Sequence, residues 1–112
     1  MMRSKFDMQL ETLNNSLIGM GVLCEKAIES AIKALLENDL VLAKKVMESV
    51  KDINQTEKDI EAMCLKLILQ QQPVARDLRQ ISSILKMITD MDRIGVQAGD
   101  IAEIVTFADL SE

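Results

Sequence analysis

Residues 6–35 read FDMQLETLNNSLIGMGVLCEKAIESAIKAL. Within this stretch Phe6, Leu10, Leu13, Leu17, Met20, Cys24, Ala27, Ala31 and Leu35 recur at steps of four and three, the spacing of a heptad seam along one helix. Ile18, Val22, Ile28 and Ile32 widen the seam into the broad apolar stripe of a helix that touches two neighbours rather than one. Ser4 stands where an N-cap belongs, with Asp7 three residues on in the capping-box place that Glu or Gln more often fills.

On the C-terminal side, Asn38-Asp39 marks a break, because both side chains compete for backbone hydrogen bonds and favour turns and caps. Asp39 is then the cap of a second helix, whose seam runs Ala43, Val46, Val50, Ile53, Glu57, Ile60, Cys64 and Leu67. Gln70-Gln71-Gln72-Pro73 closes it: the residue before a proline leaves the α region, and proline suits the first turn of the next helix. The third pattern carries Leu78, Ile81, Ile84, Leu85, Ile88, Met91, Ile94, Ala98, Ile101, Ala102 and Val105.

Two very short turns make sequential helices antiparallel, and heptad spacing favours left-handed, coiled-coil-like packing. The expected fold is therefore all-α. It is an antiparallel up-down-up three-helix bundle over 4–108, with helices at about 4–37, 39–71 and 73–108, each roughly 50 Å long at about 1.5 Å per residue. Gly95 and Gly99 inside the third helix each cost about 1 kcal/mol against alanine, which a close approach of another backbone would offset.

Composition agrees with this reading. The chain of 112 residues is 48% hydrophobic, enough for one core, and its 2% aromatic content leaves good helix formers dominant. A formal net charge of −5 disfavours a nucleic-acid partner, because phosphates would be repelled. No apolar run approaches the ~20 residues that span a bilayer, and Met1 to Lys5 lacks a signal-peptide layout, so a cytoplasmic location is expected.

The sequence contains no histidine, which excludes His-based catalytic triads, His zinc sites and the Glu-x-x-His pairs of di-iron bundles. Cys24 and Cys64 fall within apolar periods without CxxC spacing and read as buried, reduced thiols. The eight methionines lie among Leu and Ile at helical spacing and read as core filler rather than copper ligands. No catalytic set emerges, so the expected mode of action is binding. Acidic pairs remain: Glu25 with Glu29, Glu57 with Glu61, and Asp100 with Glu103 each place two carboxylates on one helix face. Glu57 differs from the others by lying on an apolar seam, where an ionised carboxylate is costly unless paired, and an arginine of the third helix is its expected partner.

Three segments carry a resemblance. Arg3-Ser-Lys-Phe-Asp7, the run LKLILQQQPVARDLR at 65–79 and the run MITDMDRIG at 87–95 followed by DIAE at 100–103 resemble the PhoU family of phosphate-uptake regulators. The resemblance implies two tandem three-helix bundles, of which this chain matches the first. It also implies cytoplasmic regulation through contacts with a sensor histidine kinase and the ATP-binding component of a phosphate transporter, with the membrane met only through those partners. Some relatives bind metal through paired acids in the segment matching Asp92 to Val96. Here Val96 interrupts that pattern, leaving Asp92 and Asp100 about 12 Å apart along the helix, with Glu57 and Glu61 as further candidate ligands for a divalent or ferric ion. Arg76 and Arg79 match the family pattern too and read as ion-pair partners within the bundle. A homodimer is expected, because a lone bundle would leave uncovered the apolar strip that a second bundle covers. The competing readings are a carboxylate metal-binding bundle and a purely structural helical oligomer.

Overall fold

The computed structural model describes residues 4–111, and it is a bundle of three helices with no strand among those residues. Helix α1 spans Lys5–Glu37, α2 spans Leu40–Gln71 and α3 spans Ala75–Ser111. The bundle measures 62 × 22 × 16 Å, so its helices lie side by side along one axis. Residues 38–39 and 72–74 are the only connections, too short for anything but antiparallel neighbours, and α1 therefore runs parallel to α3.

Local chemistry sets the ends of the elements. The Ser4 hydroxyl accepts from the Asp7 N–H at 3.1 Å, and an Asp39 carboxylate oxygen accepts from the Leu42 N–H at 3.0 Å, each satisfying one orphan donor of a first turn. Asn38 ends α1 in the left-handed region at φ 51°, a conformation asparagine tolerates, and the Asp39 N–H then bonds back to the Ala34 carbonyl at 2.9 Å. Gln72 does the same for α2 at φ 44°. Pro73 thus excludes the right-handed helix from the residue before it, yet that residue turns left-handed rather than extended. The Val74 carbonyl accepts the first bond of α3 from the Leu78 N–H at 3.0 Å, so Pro73 precedes the helix instead of opening it, and α3 continues to Ser111.

The core is one column. Leu13, Met20, Cys24, Ala27, Ala31 and Ala34 of α1 meet Ala43, Val46, Ile53, Ile60, Cys64 and Leu67 of α2 and Ile81, Ile84, Ile88, Ala98, Ala102 and Val105 of α3. Both cysteines are free and buried, and the Cys24 thiol donates to the Met91 carbonyl at 3.3 Å. Several seam positions differ from the heptad reading. Leu35 is 46% exposed and Ala34 takes its place, because a helix of 3.6 residues per turn drifts by about 20° per heptad against a 3.5 repeat. Leu17 is only half-buried, and Leu78, Ile94, Ile18, Val22 and Ile32 are exposed.

Gly95 and Gly99 do mark a close approach, but side chains fill it rather than backbone. A Cβ on Gly95 would stand 3.1 Å from Ile53 Cγ2, and one on Gly99 would stand 3.1 Å from Val50 Cγ2. These two β-branched residues of α2 pack directly onto the α3 backbone, which compensates the lost helix propensity with dispersion contacts.

Candidate functional site

Three helices make three grooves, and each has its own chemistry. Between α2 and α3 lie the acids singled out in the sequence. Asn54 Nδ2 donates to Asp92 Oδ1 at 3.3 Å, tying the two helices together at the level of Glu57. Burial pushes the Glu57 carboxyl above its ordinary 4.5, and the Asp92 and Glu61 carboxylates push it the same way against the opposing pull of Lys58. Glu61, which is exposed, adds to the burial that raises the Cys64 thiol to about 11, so this sulfur stays protonated and unreactive at neutral pH.

Asp92 and Glu61 thus both act on Glu57. Asp100 stands apart, about 12 Å further along α3, on the rim of a shallow groove of about 200 Å³ lined by Met47, Val50, Val96, Gly99 and Glu103. Among the described residues, no three His, Cys, Asp or Glu side chains converge closely enough to hold a metal ion.

No arginine pairs with Glu57 among the described residues; the α3 position opposite it is Asp92, and Arg93 is turned outward into solvent. Arg76 and Arg79 are likewise exposed and pair with no carboxylate among the described residues, so they do not act as ion-pair partners within the bundle. Asn54 was not distinguishable in the sequence, since an asparagine at a helix flank has no local signature of a partner 38 residues away.

Glu57 carries a pH dependence of stability with a definite sign. Its folded-state pKa lies above the unfolded value, so the folded state holds the proton more tightly and the contribution of Glu57 declines as pH rises through the folded pKa. Glu57→Gln is therefore expected to be more stable than the parent at pH 7, with the difference fading below about pH 4 where both states are protonated. Urea denaturation at the two pH values measures this, and equal stabilities at pH 7 would contradict the electrostatic reading.

The groove between α1 and α3 is apolar. Cys24 and Gly21 of α1 meet Met91 of α3, and flanking that contact stand Ile18 at 67% exposure, Ile32 at 46%, Leu35 at 46%, Met87 at 45% and Ile94 at 37%. With half-buried Ile28 and Ile101 these side chains form a strip along the parallel pair of helices. The third groove, between α1 and α2, carries lysines and serines over an apolar floor.

Comparison with known proteins places these faces in context. A family model described as the PhoU domain matches residues 17–105. The chain is 42% identical over 98 residues to a phosphate-specific transport system accessory protein PhoU homolog of Pseudomonas putida, covering 88% of this chain and 38% of that protein. It is 38% identical over 106 residues to the homolog of Clostridium acetobutylicum, covering 94% of this chain and 48% of that one. The accessory protein PhoU of Escherichia coli is 36% identical over 91 residues, with 81% of this chain and 38% of the relative aligned. The chain thus spans less than half the length of these curated relatives.

Proposed function

The chain belongs to the PhoU family, and from that premise we propose that it is a regulatory adaptor of phosphate uptake with no catalytic activity of its own. It restrains phosphate transport and phosphate-starvation signalling in the cytoplasm by contacting the ATP-binding component of a phosphate transporter and a sensor histidine kinase. The observation that carries this reading is the uncovered α1–α3 strip: Ile18, Ile32 and Leu35 of α1 and Met87 and Ile94 of α3 are large apolar side chains left exposed at intervals along this pair of helices, and exposed apolar surface of this kind is where soluble proteins bind other proteins. The named relatives are accessory proteins of a phosphate-specific transport system, which gives that binding its setting. No helix among the described residues is long and apolar enough to cross a membrane, consistent with contact through partners.

In this reading the strip is shared between a second copy of the chain and those partners. A phosphate-starvation promoter driving a reporter tests the regulatory claim in cells. Deleting the chain should raise reporter output in phosphate-replete medium, and unchanged output would overturn it.

A second reading concerns a cation. Asp92 and Glu61 both disfavour the ionised Glu57 carboxyl, a repulsion that a divalent or ferric ion would relieve, while Asp100, about 12 Å further along α3, would join such a site only through a carboxylate placed between it and Asp92. Val96 lies one turn from both Asp92 and Asp100, so Val96→Asp would complete a row of carboxylates at steps of four. Calorimetry should find that Val96→Asp binds manganese or ferric ion at least tenfold more tightly than the parent. Without metal the variant should be less stable, by a few tenths of a kcal/mol for each like-charged pair one turn apart. Unchanged affinity would remove this row as a metal site.

A further inference from the structure

The cleft between α1 and α2 is lined by two lysines and no acid, in a chain where acidic residues outnumber basic ones 18 to 13. It lies near the α1–α2 turn and has a volume of about 230 Å³. Its floor is Ala27 and Val46, buried core residues small enough to leave a hollow, and half-buried Leu23 and Leu42 form its apolar walls. Exposed Lys26 rises from α1 on one side and exposed Lys45 from α2 on the other. Neither lysine pairs with a carboxylate among the described residues, so both charges are free to meet an anion from outside.

We propose that this cleft docks an amphipathic helix of a partner protein, one that seats an apolar side chain on the Ala27–Val46 floor and sets Glu or Asp residues one turn away against Lys26 and Lys45. The proposal deepens the adaptor reading by naming the chemistry of the partner segment, and it rests on that reading for its biological setting. The shape fits a helix because the groove between two antiparallel helices accepts a third, with residues at steps of three and four pointing into it. A bare anion such as phosphate would satisfy the lysines but leave half-buried Leu23 and Leu42 with nothing to cover them. A second copy of the chain would have to offer a different face to this one, and such a heterologous contact closes only into a ring of the right rotation and otherwise propagates into open chains, never into a two-fold dimer.

The test uses the whole chain and two labelled helical peptides of 18 or so residues with the same leucine stripe, one flanked by glutamates and one by lysines. Fluorescence anisotropy should show the glutamate peptide binding at least tenfold more tightly than the lysine peptide, with affinity falling as salt rises. The double variant Lys26→Glu with Lys45→Glu should reverse that preference. Lys26→Met with Lys45→Met, which keeps the aliphatic stems, should abolish the preference, and an unchanged helical melt for either variant shows that the fold is intact. Equal binding of both peptides, or indifference to the lysine variants, overturns the proposal. Displacement of the glutamate peptide by millimolar inorganic phosphate at constant ionic strength would overturn it in favour of a simple anion site, and loss of self-association in the lysine variants would assign the cleft to a second copy. Each readout is independent of the starvation reporter, so the docking chemistry and the regulatory role fail separately.

Discussion

Ile60→Ala is expected to lower the free energy of unfolding by about 2–5 kcal/mol, the range for deleting a fully buried branched side chain and leaving a cavity. Ile60 has no exposed surface, and it sits in the stretch of core where α1 contributes Leu13 and Met20 and α3 contributes Ile81 and Ile88. None of these neighbours is an alanine that could be pushed inward to fill the space, so the value should fall in the upper half of the range. Leu17→Ala should cost distinctly less, because Leu17 is half-buried and water can occupy part of what it leaves. Urea denaturation followed by circular dichroism compares the two. A loss below about 0.5 kcal/mol for Ile60→Ala, typical of a surface position, would mean that the helix faces are assigned wrongly.

Self-association carries the second large effect. The parent chain is expected to sediment as a dimer or larger at high micromolar concentration, because Ile18, Ile32, Leu35, Met87 and Ile94 present one apolar strip to solvent. The double variant Ile32→Glu with Ile94→Glu should be monomeric at the same concentration. An uncompensated charge left in an interface costs about 3 kcal/mol or more, which corresponds to a dissociation constant weakened by a factor of about 100 or greater. Both positions are already substantially exposed, so the fold should tolerate the change, and an unaltered helical spectrum serves as the control. A parent that is cleanly monomeric would contradict the strip as a homodimer surface.

How much of this was legible in the sequence follows from the distance over which each feature is decided. Ser4, Asn38 and Asp39 announce the helix ends because a short polar side chain satisfies backbone groups within three or four residues of itself, which is local information. Met20, Ile60 and Ile88 could be placed in the core from spacing alone, since each falls near the centre of its stripe. At the edges of a stripe the same rule fails. Whether Ala34 or Leu35 faces inward depends on accumulated helical drift and on how closely α2 approaches at the turn, where Ala43 opposes a small residue. The partner of Glu57 depends on the rotation of α3, which puts Asp92 opposite it and turns Arg93 away, and nothing in the local pattern fixes that rotation. The α1–α2 cleft was illegible for the same reason: Lys26 and Lys45 flank one hollow only because two helices meet there. Family membership was visible in the QQQPVARDLR run at 70–79, a resemblance that hydrophobic periodicity cannot supply.

The central claim is that the chain acts by binding protein partners of phosphate uptake, and its most direct test is a calorimetric titration. The purified chain would be titrated into the ATP-binding component of the phosphate transporter, and separately into the cytoplasmic part of the sensor histidine kinase, from the same cells. The account predicts saturable binding with fixed stoichiometry to at least one of them, weakened when Lys26 and Lys45 are both changed to Glu. Absence of binding to both proteins, by a chain whose helical spectrum and melt show it folded, would contradict it.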